Sequence, residues 1–438
     1  MSPVEIGSAA IGVLIALITI GMPIGVAMLL VSFVSVAFIR SDIVATRMIG
    51  AVANDALREY LFAVVPLFVL MGLLVTISGV GKDTFDVFER ALRRVRAGLG
   101  IATVFANAVF ASITGVSIAS AAVFSRVAVP EMTRHGYSKT FATGVVAGSS
   151  VLGMLIPPSL LMIVYAVLAE ESVGRMFLAG IGPGLLLAGM FSLTITLLAR
   201  LHPSFVYDRP GDTAGYDDVG LGALATKAIP ILSLVTLVLG GLYGGFLNPT
   251  EAGAVGAFGA LAIALLRRSL NGRIFWNLLV ETGKITVSVL FLIMAATFFS
   301  RMLALSGVPR QLSELMLSGP LGPYGFLLLY LTLIIVMGCL IDSISIMLIL
   351  LPIALPIAEA AGFDLIWFGV LTVVGVEIGL LTPPFGISVY TIKSAMDDPD
   401  ISVGDIFRGA FPFVLTMILC LAIIAVFPPI ATWLARPG

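Results

Sequence analysis

Asp342 is the residue best placed for chemistry, because it stands in an apolar block four positions after Gly338. A charge inside a membrane is costly unless it is paired. Its carboxylate is either a cation ligand at the tip of a hairpin or the cap of a half-helix. Glu377, also inside an apolar run, can relay protons or hydrogen-bond neighbouring backbone. Arg126 either faces an anion or snorkels toward the membrane surface. Thr114, Ser117, Ser120, Ser343 and Ser345 cluster at two small-residue breaks and are candidate hydroxyl contacts, although such residues also serve ordinary helix packing. These groups suit holding an ion or a small anion. Bond-making chemistry has no comparable set: neither HExxH nor GxxxxGK[ST] occurs. The two histidines, His135 and His202, fall between apolar runs. Cys339 and Cys420 both lie in apolar stretches and offer no disulfide framework or metal site. An enzyme is therefore not expected, and no cofactor is implied.

The elements that position these residues occur twice. Pro130, Gly136-Tyr137, Gly153 and Pro157-Pro158 return as Pro356, Gly362-Phe363, Gly379 and Pro383-Pro384, each displaced by 226 positions. Ser78-Gly79-Val80 is echoed by Ser306-Gly307-Val308, Tyr165 by Tyr390, and Gly115 by Gly338. A proline pair removes two amide donors and interrupts the helix before it. The carbonyls it frees persist in lipid only where protein, water or an ion satisfies them. Three ordinary spans separate the two units, an odd number, so the second unit is inverted. Inverted repeats with broken helices place a substrate near the middle of the membrane. Half-helix ends supply partial charges of both signs, so two tips and two breaks form a site for an anion flanked by sodium ions.

Composition fixes the class. The chain has 438 residues, 59% hydrophobic and 11% charged, with mean hydropathy +1.13. Apolar runs long enough to cross a membrane recur throughout and do not alternate with period two, which excludes a transmembrane barrel. The expected fold is an all-α polytopic membrane protein with two re-entrant hairpins and two discontinuous helices. A net charge of −1 suggests no nucleic-acid partner. Ile6–Ile20 has no basic segment before it and reads as a retained span. Lys and Arg concentrate on one face, which the positive-inside rule makes cytoplasmic, with both termini outside.

The divisions follow. Residues 1–60 carry N-terminal scaffold helices. The first repeat covers 61–168, with a hairpin at 99–131 and a broken helix at 141–168. Central scaffold helices occupy 169–283 and include the polar linker 202–226, which holds Asp208, Asp212, Asp217 and Asp218. The second repeat covers 284–392, with a hairpin at 321–358 and a broken helix at 365–390. A last helix lies in 393–438. The segment Lys82–Arg96, with Asp83, Asp86 and Glu89, is expected to be an interfacial arm helix.

These motifs resemble the large membrane subunit of tripartite ATP-independent periplasmic (TRAP) transporters. The resemblance rests on Pro66-Leu-Phe with Ser78-Gly79-Val80, on Phe110–Ala119, and on Gly153-Met-Leu-Ile-Pro-Pro-Ser159. In the second half it rests on Gly338-Cys-Leu-Ile-Asp342, Pro352/Pro356 and Gly379-Leu-Leu-Thr-Pro-Pro-Phe385. It implies an elevator transporter of the bacterial inner membrane that imports a small organic anion on a sodium gradient. C4-dicarboxylates, sialic acids, other sugar acids and 2-oxo acids are the substrate classes implied. The implied partners are a small four-helix membrane subunit and a periplasmic substrate-binding protein. By position, Thr114, Gly153, Ile156 and Pro158 form one sodium site, and Asp342, Gly379, Thr382 and Pro384 the other. The sequence departs from the family pattern at Val116, where a tip hydroxyl is usual. A stand-alone sodium–dicarboxylate symporter shares the paired hairpins and differs in needing no binding protein.

Overall fold

A computed structural model describes residues 1–208, 221–319, 322–396 and 398–435. Three acids of the polar linker, Asp212, Asp217 and Asp218, lie outside the described residues, as do the first residue of the expected second hairpin and the last three of the chain. Among the described residues no strand forms, and the one β-type pairing is an isolated bridge between Tyr137 and Tyr207. Seven described helices are long and apolar enough to cross a membrane, or nine when two bent pairs are each taken as one span. Several begin with designed-looking chemistry: Ser2 with Glu5, Asn248 with Glu251, and Ser402 with Asp405 form capping boxes that satisfy the first free amides.

The repeat seen in the sequence is a repeat of backbone shape. Helix Val64–Ile77 ends at Gly79 with φ +76°, and the arm helix Val80–Leu92 starts there. Helix Gly272–Ser306 ends at Gly307, also with φ +76°, and opens into Val308–Leu317. Only glycine adopts this left-handed conformation without steric cost. Both arm helices are amphipathic, as expected for segments lying at an interface. Each then leads into a hairpin: Gly98–Thr114 with Ser117–Arg134, and Gly322–Gly338 with Ser343–Ala360. The 17-residue arm Gly98–Thr114 spans about 25 Å, short of the ~30 Å hydrocarbon core. Gly136 and Gly362 turn the chain after the two hairpins with φ +82° and +75°. The broken helices follow: Lys139–Ser150 and Leu152–Leu155 then Leu160–Leu168, and Leu365–Leu380 then Ile387–Met396. The first pair bends by 41°. Both Pro-Pro bonds, Pro157-Pro158 and Pro383-Pro384, are cis.

The repeats pack crosswise. The second arm of the first hairpin lies against Ile387–Met396, the half-helix after the second break. The second arm of the other hairpin lies against Leu160–Leu168, the half-helix after the first break. Tyr165 ties the two broken helices together by donating its hydroxyl to the Leu365 carbonyl at 2.6 Å. Around this body, Val64–Ile77 packs on Pro249–Leu266 and Ile24–Ile39 on Gly272–Ser306.

Ion pairs gather on the basic face. The arm helix is pinned to the central helices by Asp83 with Arg267 and by Asp86 with Lys227, the latter at 2.5 Å. Lys139 pairs with Asp398 at 2.6 Å. The linker starts with a short helix, Pro203–Val206, that is stapled to the turn after the first hairpin. There Ser138 donates its amide to Val206 and its hydroxyl to Phe205, and Asp208 donates to Gly136.

Candidate functional site

Each hairpin tip is fastened to the break in its own repeat by one backbone hydrogen bond. The Leu160 amide donates to the Gly115 carbonyl at 3.3 Å, and the Phe385 amide donates to the Cys339 carbonyl at 3.2 Å. Close glycine contacts permit both. Gly115 has φ +65°, and a side-chain carbon there would lie 2.6 Å from the Pro158 carbonyl oxygen. Gly72, on the preceding helix Val64–Ile77, lets that helix approach the Thr114 carbonyl, which a methyl would meet at 2.8 Å. At the second tip Gly338 and Gly379 touch backbone to backbone.

The first set, Thr114, Gly153, Ile156 and Pro158, is thus brought together around one tip and one break. Thr114 donates its hydroxyl to Phe110 at 3.2 Å, while Ile156 leaves the helix in an extended conformation. In the second set, Gly379 meets the tip at Gly338, and Thr382, on the break that follows, donates to Ile378 at 2.7 Å; Asp342 stands four residues past Gly338. The two sets differ in access. Gly153, Pro157, Pro158 and Ser159 are buried, whereas Pro383, Pro384, Phe385 and Asp342 are exposed.

Asp342 caps a half-helix. Its carboxylate accepts from the Ser345 amide at 3.1 Å and the Ser345 hydroxyl at 2.5 Å, at the start of Ser343–Ala360. The matching helix Ser117–Arg134 starts at Val116 with no side-chain cap, so its free amides keep the partial positive charge of a helix amino end.

Of the four candidate substrate hydroxyls, two are already engaged as donors. Ser345 donates to Asp342, and Ser120 donates to the Asn107 side-chain carbonyl. Asn107 in turn donates to Ser149 at 2.7 Å, so one amide joins both hairpin arms to the first broken helix. Asn107 was not singled out by the sequence reading; the available signal was an amide inside an apolar run. Ser343 and Ser117 are buried, and the Ser117 hydroxyl has no partner among the described residues. Ser117 neighbours the Glu377 carboxylate of the other repeat.

Arg126 is exposed and donates to the Ala395 carbonyl at 3.0 Å, in the last turn of Ile387–Met396. Its cation therefore sits at a helix carboxyl end, where it is favourable. His135 contacts Glu131 on the basic face, through the carbonyl at 2.9 Å and the carboxylate at 3.3 Å. Nearby, burial pushes the Glu89 carboxyl upward, reinforced by the charge of Glu131.

Residues 11–430 match the family model described as tripartite ATP-independent periplasmic transporter, DctM component. A C4-dicarboxylate TRAP transporter large permease protein from Pseudomonas aeruginosa is 34% identical over 382 residues, covering 87% of each chain. One from Vibrio cholerae is 32% identical and covers 96% of this chain and 95% of its own. The sialic acid TRAP transporter large permease protein of Vibrio cholerae is 29% identical over 420 residues. Among solved structures, the YdaH transporter of Alcanivorax borkumensis superposes with a TM-score of 0.64 at 17% identity, covering 90% of this chain and 89% of its own, a likeness of fold. The chain therefore belongs to the DctM component family of tripartite ATP-independent periplasmic transporters, as a multi-pass transporter permease of the bacterial inner membrane and not an enzyme.

Proposed function

We propose that this permease imports a small organic anion on a sodium gradient, by an elevator movement of the hairpins and broken helices against the scaffold. The observation that carries the reading is the matched closure of each tip on its own break, Leu160 to Gly115 and Phe385 to Cys339. Such a closure surrounds a cation with backbone carbonyls that the proline pair removes from the helical ladder. One sodium ion is assigned to Thr114, Gly153, Ile156 and Pro158, and another to Asp342, Gly379, Thr382 and Pro384. Sodium is then cargo, and no cofactor enters the cycle.

The anion is assigned to the space between the tips. The amino ends of Ser117–Arg134 and Ser343–Ala360 supply amides and partial positive charge there, with Ser117, Ser120, Ser343 and Ser345 beside them. Because Ser120 and Ser345 already donate elsewhere, Ser117 and Ser343 are the hydroxyls best able to donate to a carboxylate. Crosswise packing of the two repeats supports their moving as one body. C4-dicarboxylates are the first class to test, since three relatives 31–34% identical carry that name. A periplasmic binding protein would deliver the anion, and a small four-helix membrane subunit would complete the scaffold.

Proteoliposomes holding the chain and its small subunit test this with labelled succinate. Uptake is expected only with an inward sodium gradient and the binding protein together. Equal uptake with potassium overturns sodium coupling, and full uptake without the binding protein points to a stand-alone symporter.

A further inference from the structure

Three elements of the basic face converge on one cavity of about 490 Å³, a size usual for small-ligand pockets. The arm helix Val80–Leu92 and its end bring Lys82, Arg90 and Arg93 to it. The second arm of the first hairpin brings Arg126 and Arg134, and Leu221–Val235 brings Lys227. Only three acids line it among the described residues, and their charge is already answered. Asp86 pairs with Lys227 at 2.5 Å, and Glu131 meets Arg134 at 3.7 Å and His135 at 3.3 Å. Burial pushes the Glu89 carboxyl toward its neutral form. Lys82 and Arg126 are left with no carboxylate partner among the described residues, Arg126 giving only Nε–H to the Ala395 carbonyl. The positive-inside rule explains cations on one side of a membrane, but not their convergence from three elements on one cavity. An arm helix does not need them either. The matching arm Val308–Leu317 carries one cation, Arg310, paired with Glu314 of the same helix.

We propose that this cavity binds the headgroup of an anionic phospholipid, with Lys82 and Arg126 as its charged contacts. Basic pockets between membrane helices suit such headgroups, and a guanidinium matches the oxygens of a phosphate. The surroundings favour a lipid over free phosphate. Leu224 and Lys227 stand at the start of the span Leu224–Tyr243, of which only 17% is buried inside the protein. Ile229 and Leu232 of that span expose apolar surface within two turns of Lys227, where acyl chains can run. Val127, Pro130 and Leu224 add apolar lining at the cavity itself. A bound lipid would brace the arm helix against the hairpin it leads into, beside the Asp86–Lys227 clasp. The inference goes beyond the sodium-coupled reading and does not depend on it.

The test is thermal unfolding of the purified chain with its small subunit, washed in detergent to remove carried lipid. It is titrated with phosphatidylglycerol, phosphatidylcholine or inorganic phosphate at constant ionic strength and pH. Phosphatidylglycerol alone is expected to raise the unfolding temperature, and to do so saturably. No response to it overturns the site. An equal rise with phosphatidylcholine overturns it as general lipid stabilisation, and an equal rise with inorganic phosphate as a free-anion site. Lys82→Gln combined with Arg126→Gln breaks no described ion pair, and should raise the half-saturating phosphatidylglycerol at least roughly tenfold. Arg310→Gln, on the matching arm, should leave that value unchanged. No rise in the double variant, or an equal rise in Arg310→Gln, overturns the site. If the double variant does not fold, Lys82→Gln serves, since Lys82 is exposed. A several-fold rise in half-saturating lipid supports the site, and an unchanged value overturns it.

Discussion

Gly338 and Gly379 meet so closely that a methyl built on Gly338 would lie 2.7 Å from the Gly379 Cα, and one on Gly379 would lie 2.5 Å from the Gly338 Cα. Neither contact can be relieved by turning a side chain, because both partners are backbone. Gly379→Ala should therefore push the second tip off its break and strain the Phe385–Cys339 hydrogen bond. Overpacking of this kind costs about 1–3 kcal/mol. Uptake should fall at least roughly tenfold, as a misplacement near 1 Å does elsewhere, while the chain still inserts. Wild-type uptake by Gly379→Ala would show that the contact is not needed.

The first tip has a different weak point. Gly115 combines φ +65° with the close Pro158 carbonyl. Gly115→Ala meets both a left-handed backbone, costing about 1–2 kcal/mol, and a clash. Gly72→Ala meets only the Thr114 carbonyl. Thermal unfolding should therefore rank wild type above Gly72→Ala, and Gly72→Ala above Gly115→Ala.

Asn107 holds a chain of hydrogen bonds from Ser120 to Ser149. Asn107→Ala removes both bonds and leaves the Ser120 hydroxyl unpaired, whereas Ser120→Ala removes one bond and leaves the Asn107 carbonyl unpaired. Each orphaned group costs about 1–3 kcal/mol, and the second lost bond adds roughly 0.5–1.5 kcal/mol to Asn107→Ala. Unfolding temperatures should drop in that order. An equal drop would mean that the amide does not organise the network.

On the basic face, the hydrogen bond from Lys139 holds the Asp398 carboxyl below the usual range, and the same bond raises Lys139. The Asp398 contribution is present above its unfolded pKa and lost as pH falls through its lowered folded value. The Lys139 contribution is present below its unfolded pKa and lost as pH rises through its raised folded value. The difference in unfolding temperature between wild type and Lys139→Met should thus stay flat around neutrality and vanish in acid. A difference that changes near pH 7 would assign the clasp to another group.

Much of this was legible in the sequence because proline and glycine act on the backbone locally. The pairs Pro157-Pro158 and Pro383-Pro384, and the turns at Gly79, Gly136, Gly307 and Gly362, need no tertiary context to interrupt a helix. The Asp342 cap was likewise open to reading as one of two roles. Contacts between repeats were not legible. Glu377 meets Ser117, Tyr165 meets Leu365, and Arg126 meets Ala395 only because the hairpins cross onto the opposite repeat. No spacing rule along the chain encodes such a crossing. Asn107 was missed because an isolated amide in an apolar run carries no periodic signal.

Sodium coupling is tested most directly by the unfolding temperature of the purified chain and its small subunit in saturating sodium against potassium, at equal ionic strength, for wild type and Asp342→Asn. The asparagine keeps an oxygen to cap Ser343–Ala360 and removes the charge. An ion at 100 times its dissociation constant stabilises by about 2.7 kcal/mol. The proposed function predicts stabilisation by sodium alone, reduced in Asp342→Asn. Equal unfolding temperatures in the two salts for wild type would contradict it.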